Sequence, residues 1–448
     1  MNREHLKHYY KKCRQLKDKI NRTGIKVFAV LLGAGFAVGL CLPLRPERSE
    51  LEKRDLEQFP GLTASGLWDG TWFEGVSTWY SDTYPLREAL IAGASRVENL
   101  YGLQGEQIVD NSDKTGDEVP DISEEADPAP VVTETPAPTP ELEDGTIYEE
   151  PEMAGDVYIA GDTAFEIYYF NQGGADSYAS MINTVQARLG GDTTVYDLLA
   201  PTSFGVCLDE SIQENMGGSS QGDAFQYIYS RLDPEVKRVD VFDELVRHNA
   251  EYLYYRTDHH WTALGAYYAY RVFAEQKGIT PHELSEFEKR DYEGFLGTFY
   301  AYSNQAAALG NNPDTVETYI PMGTNDAEIQ TAEGETMQWF VVSDVSDYSA
   351  GATYSCFIGG DNPFTTITNP QIQDGSSCVV VKESYGNAFV PWLVDHYEHV
   401  YVVDYRYYTG NLTQFIRENQ VDDVIFVNNA EAISESRTAQ MLAIFPES

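Results

Sequence analysis

Basic residues are scarce in this sequence. The 448 residues include 30 Lys and Arg against 71 Asp and Glu, which gives a formal net charge of −41 at pH 7. A chain with this charge is repelled by nucleic acids and by anionic surfaces, because both carry charge of the same sign. The composition therefore excludes nucleic acid as a partner, and the length indicates two to three structural units.

Cysteine is also rare, with five residues in the whole chain. Cys13 and Cys41 fall in the amino-terminal segment, which leaves Cys207, Cys356 and Cys378 for the remainder. Three is an odd number, so the sequence allows either one disulfide among them or three reduced thiols.

One long apolar run lies near the amino terminus. Residues 27–44 carry no charge and are stopped by Arg45, about the shortest length that spans a hydrocarbon core about 30 Å thick. Residues 1–26 carry nine Lys or Arg against Glu4 and Asp18. A cleaved signal peptide is the alternative, but no small-x-small site follows the run. We expect a single-pass signal anchor at the cell membrane, with a basic cytoplasmic tail and the rest of the chain outside.

Acidic residues concentrate in residues 106–156, which hold 17 Asp or Glu and one Lys among repeated Pro, Thr and Ala. Such a segment cannot bury enough apolar surface to offset the entropy cost of ordering it. We expect a disordered acidic insertion that serves as a solvated spacer, with a cation-binding tail as the alternative. Residues 45–105, which precede it, predict a partly helical collar that packs on the main domain.

Residues 157–448 alternate between strand and helix patterns. The continuous apolar run at 378–382 is typical of a strand that is buried on both faces of a parallel sheet. The alternation predicts an α/β domain in which a parallel sheet is flanked by helices, with a β-containing insertion between Arg290 and Gly360. The clearest predicted elements are strands at 378–382, 399–404 and 423–428 and helices at 387–396 and 412–419.

Side chains that serve in acid–base catalysis occur together in Asp258-His259-His260-Trp261, which follows a predicted strand at 251–255. In an extended segment residues i and i+2 share a face, so we expect Asp258 and His260 to point together and His259 to point away. A carboxylate beside an imidazole fixes its tautomer and stabilises its charged form, as a general base requires. Because adjacent histidines diverge and no third ligand stands at a suitable spacing, we expect no zinc site.

Ser384 is the candidate nucleophile, because it comes just after the predicted strand at 378–382 and before a predicted helix. Backbone N–H groups at a helix amino terminus can stabilise a developing oxyanion. Gly386 allows close approach of the backbone, and Asn387 offers a further donor. A helix cap would have the same local sequence, but together with Asp258 and His260 the arrangement favours a Ser-His-Asp triad.

The Asp-His-His-Trp motif with Thr on both sides resembles the signature of the DHHW protein family. That family is similar to the AlgX/AlgJ type of alginate O-acetylation protein, whose domain is SGNH-hydrolase-like. Two features depart from the family pattern, namely the acidic insertion and Glu383, which stands where an Asp usually precedes the serine. The resemblance implies an SGNH-hydrolase-like fold in which Ser384 is the nucleophile and Asp258, His260 and Trp261 match the Asp-x-His-Trp pattern. Further blocks that resemble the family lie at 82–87, 295–298, 382–387 and 404–407.

The remaining candidates are assigned to substrate contacts or to support. Arg256 and Arg406 either hold acidic substrate groups or form structural ion pairs. Trp261 is a packing wedge that fixes His260 or, alternatively, a surface on which a sugar stacks. Candidates for oxyanion or substrate contacts are Tyr385, Gly386, Asn387, Arg406 and Tyr407, and supporting candidates are His259, Trp261 and Arg256.

The resemblance implies a membrane-anchored, extracytoplasmic, serine-dependent O-acetyltransferase that acts on a cell-surface or exported polysaccharide through an acetyl-serine intermediate. It also implies a membrane-bound O-acyltransferase as the partner that supplies acetyl groups, and no cofactor. The alternatives are a carbohydrate O-acetyl esterase and a non-catalytic polysaccharide-binding or scaffold protein of an acetylation complex. Transfer and hydrolysis differ only in how well the site excludes water, so the residues alone do not separate them.

Overall fold

A computed structural model gives the architecture of most of the chain. The predicted basic tail (1–26) and membrane anchor (27–44) lie outside the described residues, as does much of the predicted collar (45–105). Within the described part, no helix is both long and apolar enough to span a bilayer. The residues described are 48–49, 54–55, 58–61, 72, 76, 79–80, 83–84, 116–120, 142–331 and 334–447.

The chain forms two compact units, residues 1–105 and 106–448. In the first unit β1 (Arg48–Ser49) pairs antiparallel with β2 (Arg54–Asp55). The ring of Phe59 packs edge to face against two tryptophan rings of the same unit.

The second unit contains an eight-stranded sheet, a three-stranded sheet and a two-stranded sheet among its described residues. Its strands are β3 (Glu152–Ala154), β4 (Val157–Ala160), β5 (Thr163–Phe165), β6 (Thr194–Ala200), β7 (Lys237–Arg238), β8 (Glu288–Phe295), β9 (Asp314–Ile320), β10 (Asp326–Gln330), β11 (Thr336–Phe340), β12 (Phe364–Thr368), β13 (Ser377–Lys382), β14 (His399–Asp404) and β15 (Asp423–Asn429). The large sheet has the order β11-β10-β12-β14-β13-β15-β6-β7, and its last five strands are parallel.

Helices connect these strands and cover both faces of the large sheet. The α-helices are α1 (Gln172–Leu189), α2 (Ser203–Cys207), α3 (Glu210–Asn215), α4 (Gln221–Ser230), α5 (Phe242–Arg247), α6 (Ala263–Lys277), α7 (Thr298–Tyr302), α8 (Ala307–Gly310), α9 (Gly386–Phe389), α10 (Leu412–Asn419) and α11 (Glu435–Ala443). Short 3₁₀ helices span Leu284–Glu286, Ala350–Cys356, Val390–His396 and Ala430–Ala432.

Strand β13 lies at the centre of the fold, and all of its residues are buried. Cys378 and Val380 enter one hydrophobic core together with residues of α6, whereas Val379 and Val381 enter a second core together with residues of α1. A strand that is apolar on both faces requires helices on both sides of its sheet. The predicted mixed α/β architecture, with a parallel centre and flanking helices, is confirmed.

The predicted β-containing insertion divides between two structures. Strands β8 and β9 form a separate two-stranded antiparallel sheet with a register shift between Glu293 and Phe295. Strands β10 and β11 instead extend the large sheet, because β10 pairs antiparallel with β12, which in turn pairs with β14. The part of this region that forms β10 and β11 therefore belongs to the main sheet and not to a separate module.

The predicted acidic insertion extends further in the sequence than the structure supports. Strand β3 pairs with β4, and the Ile147 N–H donates to the Cys207 carbonyl over 2.7 Å. The Asp117 N–H likewise donates to the Phe170 carbonyl over 2.8 Å. Residues 142–156 are thus ordered by backbone hydrogen bonds to the α/β unit, which an argument from composition does not register. The rest of the predicted insertion lies outside the described residues, apart from 116–120.

The cysteines at 207, 356 and 378 are free thiols. Burial raises the pKa of Cys207 to about 12 and also raises that of Cys378. These two thiols therefore stay protonated at neutral pH, which keeps them unreactive.

Candidate active site

The Asp-His-His-Trp motif lies on a loop that closes on itself before α6. The Thr262 N–H donates to the Leu253 carbonyl over 2.8 Å, and the Tyr255 N–H donates to the His260 carbonyl over 3.2 Å. The strand predicted at 251–255 is wrong, because this segment pairs within its own loop and makes a single isolated bridge, between Tyr254 and Trp261. Tyr254 and Tyr255 are buried in the core and the partly buried Tyr252 packs against it, so this loop has the composition of a strand.

Asp258 and His260 form a hydrogen-bonded pair within this loop. His260 Nδ1 lies 2.5 Å from Asp258 Oδ1, which also accepts the His260 N–H over 3.1 Å. The other oxygen, Oδ2, accepts from the Thr298 N–H over 2.8 Å and from the Thr298 hydroxyl over 3.1 Å. A Cβ at Gly297 would collide with this carboxylate. The turn before α7 therefore holds the carboxylate that orients His260.

Ser384 lies at the carboxyl end of β13 and completes the series. Its Oγ lies 2.8 Å from His260 Nε2. The residues on either side of Ser384 are buried, whereas Ser384 is partly exposed. The structure thus connects the Ser384 hydroxyl, the His260 imidazole and the Asp258 carboxylate by consecutive hydrogen bonds. A nucleophile, a base and an orienting acid require this arrangement.

Glu383 offers the Ser384 hydroxyl a second acceptor. Its Oε2 lies 3.2 Å from Ser384 Oγ and accepts the Tyr385 N–H over 3.1 Å, while its Oε1 accepts the Asn429 N–H over 3.1 Å. Burial raises the pKa of Glu383, and the Arg406 guanidinium acts in the opposite direction. The single hydroxyl proton of Ser384 can point to Glu383 or to His260, so Glu383 influences how the nucleophile is oriented.

Two tyrosines position the imidazole of His260. The Tyr354 ring stacks on it with the centroids 4.0 Å apart, and the Tyr354 hydroxyl donates to the Ser384 carbonyl over 3.0 Å. The Tyr385 hydroxyl donates to the His259 carbonyl, and the Trp261 Nε1–H donates to the Tyr385 carbonyl over 2.9 Å. Trp261 is completely buried, so it is a packing residue and not a surface for sugar stacking.

His259 does not point away from the pair as predicted. Its ring lies 3.8 Å from the His260 ring, and its Nδ1 lies 2.7 Å from the Thr298 hydroxyl. The prediction assumed an extended backbone, which the closed loop does not have. Burial, reinforced by neighbouring His260, lowers the pKa of His259 to about 4, so the ring is neutral at pH 7.

The same proximity bears on metal binding. Asp258, His259 and His260 bring three ligand atoms within 4.8 Å of one another, a spacing that could hold a metal ion. The expectation that the two imidazoles diverge is therefore incorrect. An ion here would replace the hydrogen bonds that Asp258 makes to His260 and Thr298, so the observed arrangement favours the hydrogen-bonded triad.

The amides predicted to hold an oxyanion are engaged elsewhere. The Tyr385 N–H donates to the Glu383 side chain, the Gly386 N–H to the Glu383 carbonyl over 3.0 Å, and the Asn387 N–H to the Ser384 carbonyl over 3.2 Å. Helix α9 has four residues, so its amides are used within a single turn. Among the amides at 384–387, that of Ser384 is the one for which the described residues provide no acceptor.

The predicted arginines form structural ion pairs. The Arg406 guanidinium contacts Asp404 and, over 2.9 Å, Asp361. Fully buried Lys382 lies between the same two carboxylates, at 2.9 Å from Asp404 and 3.2 Å from Asp361. Burial alone would raise the pKa of Asp361, but Lys382 and Arg406 hold it below its ordinary value. Tyr407 is exposed beside the Arg406 guanidinium.

The other candidates, Arg256, Asn387 and Gly386, also make structural contacts. Arg256 pairs with buried Asp314 over 3.0 Å and with Asp162 over 3.5 Å. The Asn387 side-chain amide donates to Asp361 over 3.0 Å. A Cβ at Gly386 would approach Lys382 Cβ to 2.5 Å, so the absence of a side chain there leaves room for the lysine stem.

Sequence reasoning did not identify Tyr354 or Thr298 and did not give Glu383 a role. Thr298 belongs to a block that resembles the family, and Glu383 adjoins the serine, so both had a weak signal. Tyr354 lies in the 3₁₀ helix Ala350–Cys356, where neither periodicity nor a motif marks it.

Comparisons with known proteins agree with the motif. The sequence matches the family described as DHHW protein over residues 52–130 and 145–403. A crystal structure of a DHHW family protein from Eubacterium siraeum is 30% identical, with a TM-score of 0.59, covering 65% of this chain and 96% of that one. PatB1 of Bacillus cereus with a sulfonyl adduct is 17% identical, with a TM-score of 0.53, covering 63% of this chain and 96% of that one. No curated protein sequence matches this chain. The chain belongs to the DHHW protein family.

Proposed function

We propose that this protein is a serine-dependent O-acetyltransferase that acts on a polysaccharide outside the cell. The observation that carries the proposal is the continuous series of hydrogen bonds from Asp258 through His260 to the partly exposed Ser384 hydroxyl. The parallel strands around β13, with Ser384 at their carboxyl edge, support an SGNH-hydrolase-like arrangement. PatB1 has a fold similar to that of this chain, with a TM-score of 0.53.

The first half of the reaction forms an acetyl-serine. Ser384 Oγ attacks the carbonyl carbon of an acetyl ester while His260 Nε2 takes its proton, and Asp258 stabilises the imidazolium that results. The tetrahedral intermediate then expels the donor oxygen, which receives the proton from His260. A positioned base of this kind contributes about 10²–10⁴-fold to the rate.

In the second half the acetyl group moves to the acceptor. His260 takes the proton of a sugar hydroxyl, whose oxygen attacks the acetyl carbon, and the Ser384 oxygen leaves and regains a proton from His260. Water can replace the sugar because Ser384 is partly exposed, which makes acetyl ester hydrolysis the competing outcome. Mass spectrometry of oligosaccharides incubated with an acetyl donor separates the two, since transfer adds an acetyl group and hydrolysis releases acetate.

The same proposal assigns the chain to the cell membrane through residues 27–44. The domain that carries Ser384 then lies outside the cell, and a membrane-bound O-acyltransferase supplies acetyl groups to it. The anchor keeps the nucleophile close to the surface at which such groups emerge.

The proposal is tested with the full-length protein in detergent, a sulfonyl fluoride and p-nitrophenyl acetate. We expect one sulfonyl group on Ser384, detected by peptide mass spectrometry, and no label in Ser384→Ala. His260→Gln should lower ester hydrolysis by about 10²–10⁴-fold. Exposed Ser346 provides the matched control, and Ser346→Ala should behave as the parent. Equal hydrolysis by Ser384→Ala and the parent would contradict the proposal and favour a polysaccharide-binding or scaffold protein.

A further inference from the structure

His259 stands between the acid and the base of the triad in the sequence, but the proposed reaction does not use its imidazole. Its ring packs on the His260 ring with the centroids 3.8 Å apart, and His260 Nε2 lies 2.8 Å from Ser384 Oγ. Nδ1 of His259 lies 2.7 Å from the Thr298 hydroxyl and 3.8 Å from Asp258 Oδ1. His259 is therefore in contact with the base of the triad, and Nδ1 is the nitrogen that faces the triad carboxylate.

The hydrogen bonds of Thr298 determine which nitrogen of His259 carries the proton. The Thr298 hydroxyl has one proton, and its oxygen lies 3.1 Å from Asp258 Oδ2. An ionised carboxylate only accepts hydrogen bonds, and bonds to it are stronger than those between neutral groups. The hydroxyl therefore donates to Asp258 and accepts from His259, which places the His259 proton on Nδ1. The other nitrogen, Nε2, then carries a lone pair.

His259 Nε2 is a hydrogen-bond acceptor that faces solvent. Burial by the surrounding atoms, reinforced by neighbouring His260, lowers the pKa of His259 to about 4, so the ring keeps this lone pair at pH 7. One edge of the ring remains open, because the side chain is one-third exposed. Within the part of the chain that the structure describes, no residue donates to Nε2, and this atom is not buried. It is therefore accessible to a donor from outside the protein.

The neighbours of His259 hold its ring in one orientation. Thr298 contacts Nδ1, and the Phe299 ring packs edge-on against the imidazole with the centroids 6.2 Å apart. The Tyr385 hydroxyl donates to the His259 carbonyl. Phe299 and Tyr385 are both buried. An acceptor atom that is fixed before a ligand arrives loses little conformational entropy when the ligand binds.

Two histidine acceptors side by side suit a ligand with two neighbouring hydroxyl groups. In the second half of the proposed reaction the attacking hydroxyl donates to His260 Nε2, and this bond uses its only proton. His259 Nε2 can then accept from a different hydroxyl of the same molecule. Because the two imidazole rings are in contact, this second hydroxyl must lie close to the first, as it does on adjacent carbons of a sugar ring.

We propose that His259 is a specificity-determining residue of the acetyl transfer and that its Nε2 binds a second hydroxyl of the acceptor sugar, next to the hydroxyl that attacks. The substrate class this favours is a polysaccharide with free hydroxyls on adjacent ring carbons. A neighbouring oxygen that is already in an ester or a glycosidic bond has no proton for Nε2, so acetylation beside it is slower. The inference rests on the proposed function, because it concerns the acceptor of the acetyl group.

Competition between two isomeric acceptors measures this preference. The full-length protein, in a detergent without hydroxyl groups, receives p-nitrophenyl acetate and equal concentrations of two cyclohexanediols. One has cis hydroxyls on adjacent carbons, and the other has trans hydroxyls on opposite carbons. Both monoacetates form from one acetyl-serine, so their ratio, measured by gas chromatography and corrected with Ser384→Ala, does not depend on the overall rate. We expect about a fivefold excess of the monoacetate of the adjacent diol, the effect of one net hydrogen bond.

Substitutions at His259 separate the acceptor atom from the packing of the ring. His259→Phe keeps a ring against His260 and removes both nitrogens, so the two monoacetates should form in equal amounts. His259→Gln retains an acceptor oxygen and should keep most of the preference. His248 provides the matched control, because its ring also stacks at a centroid distance of 3.8 Å, on Tyr268, and its Nδ1 lies 2.7 Å from Glu251. His248→Phe should leave the ratio at the parent value.

Three results would overturn the inference. They are equal amounts of the two monoacetates from the parent protein, an unchanged ratio in His259→Phe, and the same ratio in His259→Gln as in His259→Phe. Failure of the proposed function is recognised separately, because it appears as absent sulfonyl labelling of Ser384 in the parent protein. A labelled Ser384 together with equal amounts of the two monoacetates would reject the role of His259 and retain the triad. A labelled Ser384 that releases acetate alone would also reject it and identify an esterase.

Discussion

The hydroxyl of Thr298 connects three residues of the site. It contacts Asp258 Oδ2 at 3.1 Å and His259 Nδ1 at 2.7 Å, and Asp258 in turn orients His260. Its methyl group does not take part in these bonds. Thr298 is therefore a positioning residue that acts through the hydrogen bonds of Asp258.

Thr298→Val keeps the shape of this side chain and removes its hydroxyl. We expect kcat/KM for p-nitrophenyl acetate to fall about five- to tenfold, because one lost hydrogen bond amounts to about 1 kcal/mol and about 1.4 kcal/mol corresponds to a factor of ten. Thr298→Ser retains the hydroxyl and should restore most of the activity. Steady-state kinetics of both variants checks this, and equal losses would show that the hydroxyl has no part in positioning.

The turn between β8 and α7 determines how closely the Asp258 carboxylate packs against the backbone of Gly297. Gly297 has φ −87°, so its backbone suits any residue, but a Cβ would collide with the Asp258 carboxylate. We expect Gly297→Ala to displace this carboxylate, to reduce ester hydrolysis at least tenfold and to lower the free energy of unfolding by about 1–3 kcal/mol.

Gly294, which lies in strand β8 just before this turn, supplies the matched control. Its φ is +87°, and no atom lies within 4 Å of an added Cβ. Gly294→Ala should therefore destabilise the fold through backbone strain, by about 1 kcal/mol, without a comparable loss of activity. Urea unfolding and ester hydrolysis measured on both variants distinguish a local steric effect from a general loss of stability. Similar activity losses in the two variants would contradict the role of Gly297.

Strand β6 and helix α1 are joined by a buried carboxyl group. The Tyr178 hydroxyl donates to Asp197 Oδ1 over 2.6 Å, while Oδ2 has no hydrogen-bond partner among the described residues. Burial raises the pKa of Asp197 from 3.8 to about 7. The folded protein therefore holds a proton here that the unfolded chain loses, and the stability this contributes is present below about pH 3.8 and lost as pH rises towards 7.

Asp197→Asn should remove this dependence on pH. We expect the free energy of unfolding of the variant, relative to that of the parent, to rise between pH 4 and pH 7 by up to about 1 kcal/mol per pH unit. Tyr178→Phe keeps the carboxyl group and should keep the dependence. Urea unfolding at a series of pH values provides the measurement. Parallel curves for Asp197→Asn and the parent would rule out titration of Asp197 in this interval.

The regular elements were predictable where a pattern continues for several residues. The structure confirms the predicted strand at 399–404 and the predicted helix at 412–419 with the same bounds. The segment at 251–255 misled the prediction because its aromatic residues are buried without a partner strand. Burial gives a loop and a strand the same composition, and only the hydrogen bonds distinguish them.

The site shows the same limit. Ser384, His260 and Asp258 were identifiable from residue type and local sequence, although their proximity was an assumption. Tyr354 was not identifiable, because its hydroxyl reaches the Ser384 carbonyl from 30 residues away through a 3₁₀ helix that has no periodic pattern. The position of His259 failed for a related reason, since it depended on a backbone geometry that the closed loop does not adopt.

At the scale of the whole molecule, the net charge and the apolar run at 27–44 have separate effects on attachment to a membrane. Removing the first 26 residues leaves 21 basic and 69 acidic residues, so the part of the chain that we propose to be exported should be repelled by anionic lipid headgroups. Under the proposed anchoring, attachment to a membrane comes from the apolar run, and electrostatic attraction of the basic residues 1–26 to anionic lipid is the alternative. We expect the full-length chain to stay with membranes through washes at high salt and alkaline pH. A chain lacking residues 1–44 should be released, and release of the full-length chain by salt would contradict the anchor.

The origin of the triad within the chain has an evolutionary consequence. The acid and the base are inherited together, two residues apart in one short loop, whereas the nucleophile comes from a position 124 residues away from His260. A single codon change at Ser384 would therefore remove the nucleophile of the proposed reaction and leave the loop and its supporting tyrosines intact. Within such a family, a member with the proposed activity and a member without it can thus differ by one mutation.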